Sequence, residues 1–182
     1  MVKTFVRHAT VDDLELLEVI ENDADSPFAS IFSMGGWRPA PSYVKAPQEN
    51  GFLLVASDRP ESDAIGFAHV LEVPDGGHLE QLSVIPSAAQ RGHGRALVEA
   101  GKSESRLRGY KRVTLRTFAE VPWNAPFYLS CGFIEREPDS DFLRDLFLAE
   151  QQRGLGRGRR IQMNFDLTEE VGLPHDSSLD GR

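Results

Sequence analysis

A turn that contains two glycines, within 86–96, could bind a phosphate group. An apolar strand precedes it, and Gly92 and Gly94 open the helix that follows. Such a junction presents unpaired backbone N–H groups at the positive end of a helix dipole, and glycine leaves no side chain to keep an anion away. Arg91 and Arg95 flank the turn and can add charge-assisted contacts to phosphate oxygens. The turn is therefore predicted to hold a pyrophosphate.

Two side chains on the strand before this turn could exchange protons. His78 and Glu80 are two positions apart, so on a strand they point to the same face. Glu80 stands among Leu, Val and Ile residues, where partial burial would favour its use as a general base. Either residue could take that role, and a pair exposed to solvent is the other interpretation.

Composition restricts the classes of protein to which the chain can belong. Its 182 residues fit one domain, predicted over 1–167, and the polar, acidic stretch 168–182 is expected to be a disordered tail. The formal charge of −8 argues against a nucleic-acid partner, and no apolar run resembles a membrane span or a signal peptide. The single cysteine, Cys131, favours a reducing compartment and excludes a cysteine-based zinc cluster. We therefore expect a cytoplasmic protein with no metal and no membrane partner.

Two short motifs resemble those of a known family. The phosphate turn carries Arg-x-x-Gly-x-Ala at 91–96, after a strand with the pattern Leu-x-Val-x-Pro, and NAPFYLSCGF spans 124–133. A Walker loop would need Lys-Ser or Lys-Thr after its second glycine, and a dinucleotide fingerprint would need a third glycine where Leu97 stands. Over about 5–167 the chain resembles the GNAT superfamily of acetyl-CoA-dependent N-acetyltransferases. The resemblance implies acetyl-CoA as the co-substrate.

The resemblance also implies roles for residues of both motifs. The backbone of 82–84 would bind the pantetheine arm in a gap beside the next strand, and Tyr128 would protonate the leaving thiolate. The residues expected to bind the cofactor are Leu82, Ser83, Val84, Arg91, Gly92, His93, Gly94, Arg95, Ala96, Asn124 and Phe127. Within this set, the His93 side chain is interpreted as a variable turn residue. Asn124 fits a helix N-cap equally well.

The spacing of apolar residues predicts a mixed α/β fold. Strands are expected at 5–7, 52–57, 64–73, 78–85, 112–118, 133–137 and 160–167, with helices at 91–108, 124–131 and 141–152. Thr10 and Asp13 predict the capping box of a first helix, and Ser26-Pro27 predicts the start of a second, short one. The resemblance implies three layers, with helices flanking a mixed, mostly antiparallel sheet that contains a splayed parallel strand pair.

Three aromatic residues, Phe28, Trp37 and Tyr43, are candidates for the acceptor pocket. The proline-rich stretch 37–50 is predicted to be a loop, and in the resembling family this region helps to form that pocket. An equal interpretation makes Trp37 and Tyr43 loop anchors. The basic run 153–160 is interpreted first as a solvated loop, and second as a contact for the adenosine phosphate or an acidic partner.

The leading functional hypothesis is an N-acetyltransferase that moves acetyl from acetyl-CoA to a primary amine of a small molecule by direct attack in a ternary complex. A protein acetyltransferase that acts on a lysine or an N-terminus is the first alternative. A non-catalytic acyl-CoA-binding sensor is the second, and the presence of both Glu80 and Tyr128 counts against it. The resemblance also suggests a homodimer, while the identity of the acceptor cannot be taken from the fold.

Overall fold

The computed structural model describes residues 3–32, 42–43, 50–152 and 159–168, without the side chains of 27–32. These residues form seven strands and four α-helices. The strands are β1 (Phe5–His8), β2 (Gly51–Ser57), β3 (Gly66–Val73), β4 (Gly76–Val84), β5 (Arg112–Phe118), β6 (Ile134–Arg136) and β7 (Arg160–Asp166). The helices are α1 (Leu14–Phe32), α2 (His93–Leu107), α3 (Ala125–Ser130) and α4 (Asp141–Gln152). Trp37, 153–158 of the basic run and 169–182 of the predicted tail lie outside the described residues.

The seven described strands join one sheet in the order β1-β2-β3-β4-β5-β7-β6. Neighbouring strands are antiparallel, except that β4 and β5 run parallel. Helix α2 connects these two strands, and a crossover of that kind is what a parallel pair requires. The predicted α/β class, a mixed and mostly antiparallel sheet with flanking helices, is confirmed.

Each face of the sheet carries its own apolar core. On one face, Leu97 of α2 packs in a cluster that includes Leu54 of β2. On the other face, Leu17 and Ile20 of α1 pack in a cluster that includes Val55, the next residue of the same strand. Side chains alternate between the faces of a strand, so one strand supplies both cores. The sheet is thus the middle one of three layers.

Helix α1 begins as the sequence predicts but does not end where expected. The Asp13 carboxylate accepts hydrogen bonds from the N–H and hydroxyl of Thr10, at 2.7 and 2.9 Å. The predicted break at Ser26 is wrong, because α1 runs on to Phe32. Pro27 has no N–H to offer the Asp23 carbonyl one turn earlier, and the Ser26 hydroxyl donates to that carbonyl instead, at 2.8 Å.

Helix α4 has the predicted bounds and contacts side chains of β4, β5 and β7. Leu143 is buried, and the ring of Phe142 packs edge-on against His78 of β4 with centroids 5.4 Å apart. Glu150, near the end of the helix, is also buried. None of the helices in the described residues combines the length and apolar character needed to cross a bilayer.

Candidate active site

Strands β4 and β5 separate halfway along their length. Their parallel pairing ends at Leu79, opposite Leu115. Beyond that point β4 continues to Val84 and β5 continues to Phe118. The two strands therefore leave a gap between them, as the splayed pair in the predicted fold requires.

The β4 edge of this gap offers backbone donors. Ile85, directly after β4, donates its N–H to the carbonyl of Ile65 on the β3 side, at 2.9 Å. Successive peptide groups of an extended chain point to alternate sides, so the N–H groups of Val84 and Leu82 point toward β5. The N–H of Ser83 points back toward β3, and its buried hydroxyl accepts a hydrogen bond from Gln81 at 2.9 Å. An extended ligand with amide carbonyls could pair with this edge.

The turn after β4 leads into α2. The first N–H groups of α2 come before the first backbone hydrogen bond of the helix. Gly92 has a φ of 97°, in the left-handed region that glycine adopts without strain. The first bond of the helix runs from the Ala96 N–H to the Gly92 carbonyl, at 3.0 Å. The N–H groups of His93, Gly94 and Arg95 therefore precede it and are available to an anion.

Gly94 keeps this helix end open beside two other predicted cofactor-binding residues. A Cβ added to Gly94 would lie 3.6 Å from the Phe127 ring and 3.9 Å from Cγ2 of Val84. These are ordinary contact distances, so packing among the described residues does not require glycine here. The absence of a side chain suits a space kept for a ligand. The structure thus brings the end of β4, the start of α2 and α3 together.

The two arginines that flank the turn differ in their surroundings. Arg91 is exposed. Arg95 donates to the carbonyl and the hydroxyl of Ser130, at 2.9 and 2.7 Å, and so ties α2 to α3. Arg91 is therefore the arginine of the pair with the greater freedom to meet a phosphate.

The structure shows where two further predicted cofactor-binding residues lie. His93 is the first residue of α2, is 1% exposed and has its Nδ1 2.9 Å from the hydroxyl oxygen of Thr4, so its side chain is a buried anchor of the helix and does not lie in the turn. Asn124 is the N-cap residue of α3, as the sequence predicts, and its carbonyl accepts the N–H of Tyr128 at 3.2 Å. Its side chain makes no capping hydrogen bond.

His78 is buried beneath the mouth of the gap. Its side chain is 2% exposed, its Nδ1 lies 2.8 Å from the Thr114 hydroxyl oxygen, and its Nε2 lies 3.6 Å from Oε2 of Glu80. Burial lowers the pKa of His78 to about 4, and the positive charges of Arg116 and Arg160 act in the same direction. The imidazole is therefore neutral near pH 7.

Glu80 is displaced toward solvent by an irregularity of its strand. The register between β3 and β4 shifts between His69 and Val70, which leaves Glu80 as the extra residue of a β-bulge. Its side chain is 48% exposed. The predicted shared face of His78 and Glu80 is confirmed by their contact, but only Glu80 is open to a molecule that enters from solvent.

Tyr128 of α3 lies among other aromatic rings. Its ring centroid is 5.1 Å from that of Phe127 and 6.0 Å from that of Phe133. Burial raises the pKa of the phenol, the Cys131 thiol adds to this shift, and the positive charge of Arg160 opposes it. The hydroxyl therefore carries its proton at neutral pH.

Two acidic residues of α1, Glu21 and Asp25, lie on one side of Glu80. Together with Tyr43, which contacts Glu21, we call them the acidic side. The Tyr43 hydroxyl donates to Oε2 of Glu21 at 2.5 Å, and both residues are buried. Burial raises the pKa of Glu21 to about 7 against the opposing bond from Tyr43, and the charges of Asp25 and Glu80 raise it further. Burial also raises the pKa of Asp25 to about 6. Of the predicted pocket aromatics, Tyr43 belongs to this side, and the side chains of Phe28 and Trp37 lie outside the described structure.

Arg116 of β5, Glu150 of α4 and Arg160 of β7 form a second cluster, which we call the basic side. Nε of Arg116 is 2.6 Å from Oε2 of Glu150, and Nη2 of Arg160 is 3.1 Å from Oε1. Interpreting Arg160 as part of a solvated loop is therefore wrong. The sequence held one signal, since a charged residue in the middle of the apolar strand 112–118 needs a buried partner.

A family model matches the part of the chain that contains the candidate site. Residues 17–133 match the model of the acetyltransferase (GNAT) family. This range contains Glu80, the phosphate turn and Tyr128.

Solved structures with the same fold include enzymes from several organisms. The ribosomal-protein-S18-alanine N-acetyltransferase from Escherichia coli is 21% identical, with 94% of this chain and 99% of that one covered and a TM-score of 0.65. PaiA N-acetyltransferase from Thermoplasma acidophilum, in complex with coenzyme A, is 16% identical over 90% of this chain and 99% of that one, with a TM-score of 0.62. A putative streptothricin acetyltransferase from Bacillus anthracis, in complex with acetyl coenzyme A, is 21% identical over 68% and 65%, with a TM-score of 0.51. At these identities the likeness establishes the fold.

Proposed function

Because this chain belongs to the acetyltransferase (GNAT) family, we propose that it moves an acetyl group from acetyl-CoA to a primary amine of a small molecule, by direct attack within a ternary complex. The observation that carries the proposal is the gap between β4 and β5, which has Glu80 at one end and the start of α2 at the other. An extended molecule with a pyrophosphate at its far end matches that shape.

The residues around the gap fit an acyl-CoA. The N–H groups of Leu82 and Val84 would bind amides of the pantetheine arm, and one of them could polarise the thioester carbonyl. The N–H groups of 93–95 would bind the pyrophosphate, with Arg91 adding charge. Acetyl-CoA supplies the acetyl group in activated form, as a thioester.

Glu80 is proposed as the general base. A lysine-type amine is protonated at neutral pH, so a base must remove one of its protons before attack. Oε2 or Oε1 of Glu80 accepts that proton, directly or through a water molecule. His78, with its pKa lowered to about 4, is a weak base, and its buried ring packs beside the glutamate.

Tyr128 is proposed as the general acid. Its hydroxyl donates a proton to the sulfur as the carbon–sulfur bond breaks and the carbon–nitrogen bond forms. The product amide nitrogen loses a second proton, which returns to Tyr128 through solvent, while Glu80 releases the first. Both side chains thus regain their starting states, and the net reaction releases one proton.

Release of free thiol from acetyl-CoA tests the proposal. The purified protein would be given acetyl-CoA with amino acids, polyamines, aminoglycosides and peptides, and acetylated products would be identified by mass spectrometry. We expect thiol release with at least one small amine. Release with peptides alone would establish the protein-acetyltransferase alternative, and binding of acetyl-CoA without release would establish the sensor.

A further inference from the structure

The basic side of the site contains two positive charges and one negative charge. The guanidinium groups of Arg116 and Arg160 share the single carboxylate of Glu150, and each of its oxygens is already bonded to one of them. A charge withdrawn from water is costly unless it is paired. Within the cluster, one positive charge is therefore left without a carboxylate of its own.

Arg160 is the member of the cluster with unused donors. Its Nη2 contacts Glu150 and donates to the Arg116 carbonyl at 3.2 Å. Its Nε is buried and has no hydrogen-bond partner among the described residues. Its side chain is 22% exposed, against 3% for Arg116, so Arg160 is the more accessible of the two arginines. A planar guanidinium in this state suits a carboxylate.

The position of Arg160 relates it to the proposed acid and base. Burial lowers the pKa of Arg160, while the charges of Glu150, Glu80 and Tyr128 act in the opposite direction. Arg116 follows Thr114, the contact of His78, by two residues on β5, so both lie on the same face of that strand, and Arg160 shares the Glu150 carboxylate with Arg116. The basic side therefore lies on the face of the sheet that carries His78 and Glu80.

The two sides of the site have opposite charge. Glu21 and Asp25 belong to α1, whereas Arg116 and Arg160 belong to strands covered by α4. The ring of Phe118 lies 4.8 Å from the Arg160 guanidinium, which helps to hold it in place. An ammonium group is favoured on the acidic side and an anion on the basic side.

We propose that the acceptor is a small amine that also carries a carboxylate, and that Arg160 binds this carboxylate. The inference rests on the proposed acetyl transfer and adds the chemical class of its acceptor. Binding at Arg160 would orient the amine of such a molecule toward Glu80.

A matched panel of acceptors tests the inference. It consists of ω-amino carboxylates with one to five methylene groups and of their carboxamides, which have nearly the same shape without the charge. We expect the wild-type kcat/KM to favour at least one carboxylate over its carboxamide by about 10- to 100-fold, the effect of a hydrogen bond to a charged group. The Arg160→Gln variant should lose this preference, mainly through KM. Arg159→Gln should keep it, because Arg159 is exposed and pairs with Glu135.

Binding provides a readout that does not depend on turnover. Calorimetric titration of the CoA-loaded protein with the N-acetylated form of the preferred carboxylate should show binding in the wild type and in Arg159→Gln. In Arg160→Gln the same titration should show binding weakened by about 10-fold or more.

Several results would overturn the inference. The first is equal use of carboxylates and carboxamides by the wild type, a comparison that needs no variant. The second is a fall in kcat for both members of every pair in Arg160→Gln with the preference intact, which would make Arg160 a positioning residue for Glu80. If only amines without a carboxylate were acetylated, the inference would also be excluded, while the proposed acetyltransferase activity would stand. Failure to bind acetyl-CoA would remove the proposed function itself, and the inference with it.

Discussion

Nε2 of His78 lies 3.6 Å from Oε2 of Glu80, and the first side chain is buried while the second is half exposed. The other ring nitrogen of His78 is fixed by Thr114 at 2.8 Å, so the orientation of the imidazole is defined. The neutral imidazole lies beside the Glu80 carboxylate at a distance too long for a hydrogen bond. Of the two side chains, only Glu80 is open to solvent, which is why the proposed proton transfer is assigned to it.

Replacing the proposed base should affect chemistry and not cofactor binding. Glu80→Gln is expected to lower kcat by roughly 10²–10⁴, because the amide cannot accept the ammonium proton. The rising limb of the pH–rate profile should vanish, while calorimetry should give an unchanged Kd for acetyl-CoA. Glu135→Gln, on the edge strand β6, serves as the control. Undiminished turnover in Glu80→Gln would move the base role to His78 or to another group.

Replacing the proposed acid should have a different pH signature. Tyr128→Phe is expected to lower kcat by roughly 10²–10⁴ while the rising limb persists, because the base is intact. Tyr110→Phe is a matched control, since that hydroxyl donates to Glu72 at 2.9 Å. The measurement is steady-state thiol release across pH. If Tyr128→Phe retained full activity, the sulfur would have to obtain its proton from another source.

The start of α2 should be sensitive to charge. Gly94→Glu is expected to abolish acetyl-CoA binding in calorimetry, because a carboxylate would take the space and the sign reserved for phosphate. Gly94→Ala should fold normally, since its Cβ would meet only ordinary contacts, and circular dichroism checks both variants. Wild-type affinity in Gly94→Glu would show that the phosphate binds elsewhere.

Elements governed by local patterns could be predicted from the sequence. Strand β5 and helix α4 have the expected bounds, because alternation and helical spacing are properties of neighbouring residues. The turn into α2 was predictable for the same reason, since Gly92 provides the left-handed residue. The continuation of α1 past Pro27 could not be predicted. It involves the Ser26 hydroxyl, and the Ser26 side chain can adopt several conformations.

Contacts between distant segments account for most of what the sequence could not predict. Glu150 binds Arg116 from 34 positions away, and Tyr43 binds Glu21 from 22 positions away. A polar residue in an apolar stretch signals that a partner exists but does not identify it. The residues of both sides were therefore not candidates at first, apart from Tyr43, whereas local patterns were enough to propose the β4 residues and the turn before α2.

The buried imidazole should make stability depend on pH. The unfolded His78 takes up a proton below about pH 6.5, whereas in the folded protein its pKa is about 4, so stability is lost as pH falls through that interval. Relative to His78→Gln, the wild type should lose on the order of 2–3 kcal/mol between pH 6.5 and 4. Urea unfolding across pH measures the difference.

The buried carboxyl of Glu21 should produce the opposite slope. Its pKa is about 7 in the folded protein and 4.5 without the surrounding structure. As pH rises from 4.5 to 7 the unfolded chain releases this proton and the folded protein retains it, so folding stability falls with rising pH. Relative to Glu21→Gln, the wild type should lose on the order of 2–3 kcal/mol over this interval, measured by urea unfolding. Glu15→Gln, exposed on the same helix, should show no such difference. A wild type that instead gained stability relative to Glu21→Gln over the same interval would mean that Glu21 is ionised in the folded protein and that Tyr43 stabilises its charge.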